Sequence, residues 1–119
     1  MDKECTVYQS THLFGKRWTL LILLELYKGN SGWKRFSAIQ KSMEEITPKM
    51  LSARLKELEF EELIKKQVDA SSFPVKSEYK LTDAGEDFIS VIQALKQWTL
   101  RWRGDNIACS QSECAECML

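Results

Sequence analysis

One stretch of the chain, ITPKMLSARLKEL at residues 46–58, decides the fold. Thr47 suits a helix N-cap because its side-chain oxygen can accept a hydrogen bond from a free amide of the first turn, and Pro48 suits the first helical position. The stretch therefore predicts a helix over residues 48–60. The stripe that faces the core in this helix, at i, i+4 and i+7, consists of Leu51, Leu55 and Leu58.

The opposite face of this helix carries lysines and small side chains. A helical wheel at about 100° per residue places Arg54 on the flank when the leucines point inward. The residues that the wheel turns outward are Lys49, Ser52, Ala53 and Lys56. Small side chains permit close approach, and lysines contact phosphates or guanine. This face is typical of a helix that lies on DNA, and an ordinary solvated face is the alternative.

Basic residues cluster around this helix in a chain without net charge. The chain has 17 Lys and Arg against 17 Asp and Glu, so its bulk charge does not attract nucleic acid. Residues 33–56 nevertheless contain six basic and two acidic residues, a local charge of +4, and four glutamates follow within residues 57–62. The six basic residues are Lys34, Arg35, Lys41, Lys49, Arg54 and Lys56.

The segments around this helix predict a mainly α fold with a small β-hairpin. Helices are predicted over residues 5–14, 17–28, 33–43 and 83–103, and strands over residues 63–69 and 76–81. This order is that of a winged helix-turn-helix, in which the second helix of the turn lies in the DNA major groove and the hairpin forms the wing. Lys76 in the wing is a candidate for phosphate or minor-groove contact, and a solvent-exposed turn is the alternative.

The two ends of the chain differ from this central part. We predict one domain over residues 1–104 and a cysteine-containing tail over residues 105–119. The last predicted helix carries more aromatic surface than a small domain needs, which indicates a partner helix. Its apolar stripe consists of Phe88, Ile92, Leu95, Trp98 and Trp102.

The four cysteines lie near the ends of the chain, at Cys5, Cys109, Cys114 and Cys117. A secreted disulfide scaffold would distribute them through the domain. Since neither a signal peptide nor a membrane-spanning run is visible, we predict a cytoplasmic protein without a membrane partner. The tail spacing suits zinc, with Cys5 as the fourth ligand, or an iron–sulfur cluster. A redox disulfide and a mobile, reduced tail are the alternatives, and no cofactor is certain.

Four motifs together resemble those of the HxlR-type transcriptional regulators. GKRWTLLIL at residues 15–23 resembles the family's GGKWTLLIL, and Arg35-Phe36 resembles its RF pair. Residues 46–58 resemble its ISPKMLTQRLREL, and EYKLTDAG at residues 78–85 resembles its EYSLTEAG. Cys5 stands ten residues before Gly15, where the family often has a cysteine, and the resemblance as a whole spans residues 5–102. Two features depart from the family: the wing tip has no arginine, so that Lys76 must replace the usual basic residue, and the cysteine tail has no counterpart.

The resemblance implies a MarR-like winged-helix regulator that binds double-stranded DNA as a homodimer, formed through the first and last helices. It also implies a thiol sensor at Cys5, where the alternative is a small buried side chain at the dimer interface. We therefore predict a sequence-specific regulator, gated by thiol redox or a metal, and not an enzyme. A winged-helix module for protein–protein contact is the alternative. The residues predicted to contact DNA are Arg35, Thr47, Pro48, Lys49, Ser52, Ala53, Arg54, Lys56 and Lys76.

Overall fold

A computed structural model of the protein describes residues 2–29, 32–71, 73–104, 110–111 and 113–116. The helices along these residues are α1 (Thr6–Phe14), α2 (Thr19–Tyr27), α3 (Phe36–Ser42), α4 (Pro48–Phe60) and α5 (Asp83–Trp102). The strands are β1 (Lys34–Arg35), β2 (Ile64–Asp69) and β3 (Lys76–Leu81), and a short 3-10 helix spans Cys114–Glu116. None of the described helices is both long and apolar enough to cross a membrane.

Helix α2 lies at the centre of the core, as its apolar sequence predicts. Ile22, Leu23 and Leu26 are fully buried. Leu21 is 51% exposed, because it lines apolar cavities between α2 and α5. Helix α2 is therefore buried on most sides and open on the side of Leu21.

Helix α4 forms as the sequence predicts. The Thr47 side-chain oxygen accepts a hydrogen bond from the amide of Met50 at 3.1 Å, and Pro48 occupies the first turn. The side chains that α4 buries in the core are Leu51, Leu55 and Leu58. The predicted mainly α architecture with a winged helix-turn-helix is confirmed.

The sheet has three strands in the order β1–β3–β2, and all neighbours are antiparallel. The predicted helix over residues 33–43 is wrong at its start, where β1 pairs Lys34 with Tyr79 and Arg35 with Glu78. The Lys34 ammonium donates hydrogen bonds to the backbone carbonyls of Glu25 and Lys28. Burial lowers the pKa of Lys34. These contacts hold the segment against the end of α2 in an extended form.

The apolar stripe of helix α5, which the sequence shows as one continuous face, has a buried part and an exposed part in the structure. Its first half packs on the core through Ile89 and Ile92, and Phe88 stacks on Phe14 with ring centroids 4.0 Å apart. In its second half most apolar side chains are exposed, whereas Leu100 is half-buried. These exposed side chains, together with that of Val91, are Leu95, Trp98 and Trp102.

The described part of the tail returns to the domain. Cys114 is buried, and the amide of Gly29 donates a hydrogen bond to the carbonyl of Ala115 at 2.6 Å. Cys5 is exposed directly before α1, and both described thiols are free. Cys109 and Cys117 of the predicted metal site lie outside the described residues. Within the described ranges, no three His, Cys, Asp or Glu side chains are placed to hold a metal ion.

Candidate nucleic-acid interface

The outer face of α4 is arranged as the helical wheel predicts. Lys49 and Lys56 are exposed two turns apart, and Ser52 and Ala53 between them are half-buried. Thr47 is also exposed, at the amino end of the helix. The face is therefore open to a partner, with small side chains at its middle and cations near both ends.

Arg54 is oriented by contacts within the chain. Its Nε donates to the carbonyl of Arg17 at 3.0 Å, and its Nη1 donates to Oε1 of Glu57 at 2.9 Å. Oε2 of the same carboxylate accepts from the Lys16 ammonium at 3.1 Å. We call Lys16, Arg17, Arg54 and Glu57 the α4 clamp, because they fasten α4 to the corner between α1 and α2.

A groove lies between the wing and the helix-turn-helix. It has a volume of about 540 Å³, and the residues that line it come from the start of α3, from α4 and from both wing strands. Its cationic side chains are Arg35, Lys66 and Lys76, and none of the described residues that line it carries a carboxylate. Ser52 lines it too, so the groove continues the outer face of α4. We call it the wing groove.

The wing groove brings together residues that the sequence predicted separately and adds one that was missed. Arg35 and Lys76 were predicted to contact DNA, whereas Lys66 was not. Lys66 is paired in register with Tyr79, and its ammonium lies 5.9 Å from the centroid of that ring, within the range of a cation–π contact. Burial raises the pKa of Tyr79, which keeps the phenol neutral.

The neighbouring Lys65 does not line the groove. Successive side chains of a strand point to opposite faces, so Lys65 lies on the other side of the wing, where it is paired in register with Lys80. The alternation starting from the buried Ile64 was the signal in the sequence that could have assigned Lys66 to the groove face.

Together these features define a class of protein. A helix-turn-helix whose second helix exposes a basic face, followed by a β-hairpin that extends this face, is a winged-helix DNA-binding fold. The family comparison agrees, since the model of the HxlR-like helix-turn-helix family matches residues 13–106. The chain belongs to this family and is a DNA-binding transcriptional regulator, not an enzyme.

Individual relatives agree with this assignment. The transcriptional regulator YodB of Bacillus subtilis (strain 168) is 42% identical over 86 residues, which cover 72% of this chain and 73% of the relative. The structure of reduced YodB covers 86% of this chain and 97% of its own, with 37% identity and a TM-score of 0.71. A MarR-family regulator from Porphyromonas gingivalis W83 covers 86% and 96%, with 30% identity and a TM-score of 0.75.

One further structural relative is described as a redox regulator. HypR, solved in its oxidized form, covers 84% of this chain and 99% of its own, with 27% identity and a TM-score of 0.70. YodB has also been solved in quinone-bound and diamide-treated forms, with TM-scores of 0.69 and 0.64. The family of this chain therefore includes regulators that respond to oxidants.

Proposed function

We propose that the protein binds operator DNA as a homodimer that places the two α4 helices in successive major grooves. The observation that carries this proposal is the continuity between the outer face of α4 and the wing groove at Ser52. Together they form a basic surface on a chain whose net charge is zero. Such a surface attracts phosphate through local charge alone.

Each part of this surface has a role that follows from its chemistry. Lys49 and Lys56 contact phosphates or guanine, and Ser52 and Ala53 let the helix approach the base edges. Thr47 and Pro48 begin α4, where free amides and the helix dipole favour a phosphate. Arg35 and Lys76 bind backbone phosphates from the wing groove.

Arg54 has a different role in this proposal. Its guanidinium already donates to the carbonyl of Arg17 and to the Glu57 carboxylate. We therefore assign Arg54 to positioning, since it sets the angle at which α4 enters the groove. Rotation of Arg54 toward a phosphate would leave Glu57 with Lys16 as its partner.

The homodimer is supported by apolar surface that the described part of the chain leaves exposed. Val91, Leu95, Trp98 and Trp102 are all exposed and recur along α5 at intervals of four, three and four residues. This is the spacing of a helix that packs against another helix. Helix α1 also has no buried residue. A two-fold pairing through these helices would repeat the α4 surface at the spacing of one DNA turn, about 34 Å.

Regulation through Cys5 is supported by its position. The thiol is exposed immediately before α1, whereas Cys114 is buried, and buried cysteines are generally inert. Helix α1 leads within two residues of its end to Lys16 of the α4 clamp. An oxidant such as diamide takes two electrons and two protons from a pair of thiols as it forms a disulfide. Such a bond between Cys5 and a second thiol, for which the tail cysteines are the candidates, would reorient α1 and, through the clamp, α4.

The experiment compares two double variants of equal charge change on duplexes selected from a random-sequence library. Lys49→Glu with Lys56→Glu is expected to abolish binding, because it replaces both lysines of the outer face. Lys65→Glu with Lys80→Glu is the matched control, since these lysines oppose each other in register on the far side of the wing. Fluorescence anisotropy measures the affinity, and light scattering checks that both variants remain folded oligomers.

Two results would contradict the proposal. Unchanged affinity of the α4 variant removes α4 from the interface. An equal loss in both variants shows that bulk charge, not the outer face of α4, governs binding. A protein–protein module without a role in DNA binding would lack the steep fall of affinity with salt that phosphate contacts impose.

A further inference from the structure

The tip of the wing is apolar and carries no charge. Residues 70–75, ASSFPV in sequence, include neither an acidic nor a basic side chain. Phe73 is 100% exposed, and Val68 and Val75 beside it are more than half exposed. A phenylalanine without any burial contributes nothing to the stability of the hairpin. These three apolar side chains, which we call the wing tip patch, therefore call for a partner outside the chain.

Two members of the patch, Val68 and Val75, lie on the groove side of the wing. Val68 is two residues after Lys66 on β2 and so points to the same face, and Val75 itself lines the wing groove with Lys66 and Lys76. Asp69 and its register partner Lys76 fall on the opposite face by the same alternation, and Asp69 accepts from the amide of Ser71 at 3.1 Å and so fixes the turn. The Lys66 cation thus lies at the base of the patch on the groove side.

The length of the wing sets what the patch can reach. Six residues at about 3.3 Å each make strands of roughly 20 Å. Half a turn of DNA, which separates a major groove from the adjacent minor groove, is about 17 Å. When α4 occupies the major groove, the wing tip patch extends as far as the neighbouring minor groove.

We propose that Phe73 is an apolar wedge that enters this minor groove and presses against a flexible base step. Because the tip carries no cation and exposes Phe73 completely, apolar contact is the interaction that this side chain offers to DNA. Proteins that bind the minor groove insert side chains such as Phe and Pro between base pairs and bend the duplex. The inference rests on the proposed function and names the groove, the contact and the residue.

The wedge has a consequence for the operator sequence. Pyrimidine–purine steps unstack easily, whereas A-tracts are stiff and have a narrow groove that attracts arginine or lysine. A wing that carries Phe73 in place of a cation therefore favours operators that have a TA or CA step half a turn from each half-site bound by α4. It does so without hydrogen bonds to those bases.

The test uses duplexes selected by the wild-type protein from a random-sequence library. The fluorescent base 2-aminopurine is placed at the pyrimidine–purine step half a turn from the half-site, where unstacking raises its emission. The wild type and Phe73→Leu are expected to raise the signal, and Phe73→Ala is expected to abolish it. Loss of one aromatic–base contact weakens binding about 5- to 150-fold, and the variant dimer loses one such contact in each protomer. Phe60→Ala is the matched control, since Phe60 is 84% exposed at the acidic end of α4.

The outcomes separate the wedge from the proposed function. If Phe73→Ala binds with the same emission as the wild type, the wedge is wrong while DNA binding by α4 stands. Equal losses for Phe73→Ala and Phe60→Ala also overturn it, because the effect then belongs to any exposed aromatic side chain. If the wild type selects no duplex at all, the proposed function fails and the wedge fails with it.

Discussion

Replacing Lys66 with glutamine tests the wing groove directly. The proposed surface has five cations in each protomer, so a dimer makes about ten phosphate contacts. These cations are Arg35, Lys49, Lys56, Lys66 and Lys76. Each contact contributes about −0.9 to the slope of log affinity against log salt, so the wild-type slope is about −9. The variant removes one cation from each protomer and is expected to lower the magnitude of the slope to about 7.

The same arithmetic gives the loss of affinity. If the wild type and the variant bind equally at 1 M salt, the loss of two contacts makes the variant bind about 30-fold more weakly than the wild type at 0.15 M salt. This ratio corresponds to about 2 kcal/mol of binding free energy. Lys65→Gln is the control, because it removes the same charge from the opposite face of the same strand. Anisotropy titrations at four salt concentrations measure both slopes. Equal slopes for Lys66→Gln and the wild type, or equal changes in both variants, would refute the assignment of Lys66 to the interface.

Three further predictions concern assembly, sensing and packing. Trp98→Asp is expected to convert a dimer into a monomer or an aggregate by light scattering, and a monomeric wild type would disprove the dimer. Diamide is expected to weaken operator binding reversibly in the wild type but not in Cys5→Ser, and a response lost only in Cys114→Ser would move the sensor to the tail. Gly85→Ala is expected to lower the melting temperature by about 10 °C or more, since the new Cβ would lie 2.1 Å from the carbonyl oxygen of Leu63. An unchanged melting temperature would show that this contact relaxes freely.

The helix-turn-helix was readable from the sequence because its signals are local. The cap at Thr47, the proline after it and the leucine stripe all lie within residues 46–58 and act within one helix. The same holds for Thr82, which caps α5 by accepting from the amide of Gly85 at 3.2 Å. Signals of this kind predict the type of an element and its first residue.

The features that the sequence did not predict depend on distant partners. Strand β1 is extended because Lys34 donates to the carbonyls of Glu25 in α2 and of Lys28 just after it, and because its backbone pairs with β3. Lys66 faces the groove because of its register opposite Tyr79. The wheel placed Arg54 on the flank but could not identify Arg17 as its partner. Periodicity along α5 showed one stripe, although only the packed domain determines where burial ends, between Ile92 and Leu95.

The α4 clamp has a thermodynamic consequence for the thiol. A mechanical link between α1 and α4 works in both directions, so a modification of Cys5 that weakens operator binding by some factor must itself become less favourable by that factor when operator is bound. Operator DNA would therefore protect the thiol at equilibrium although it does not touch it. In a cell, releasing a regulator that is bound to its promoter would need a stronger oxidant than inactivating a free molecule. Each target gene would therefore have its own oxidant threshold, set by the affinity of the regulator for that gene's operator.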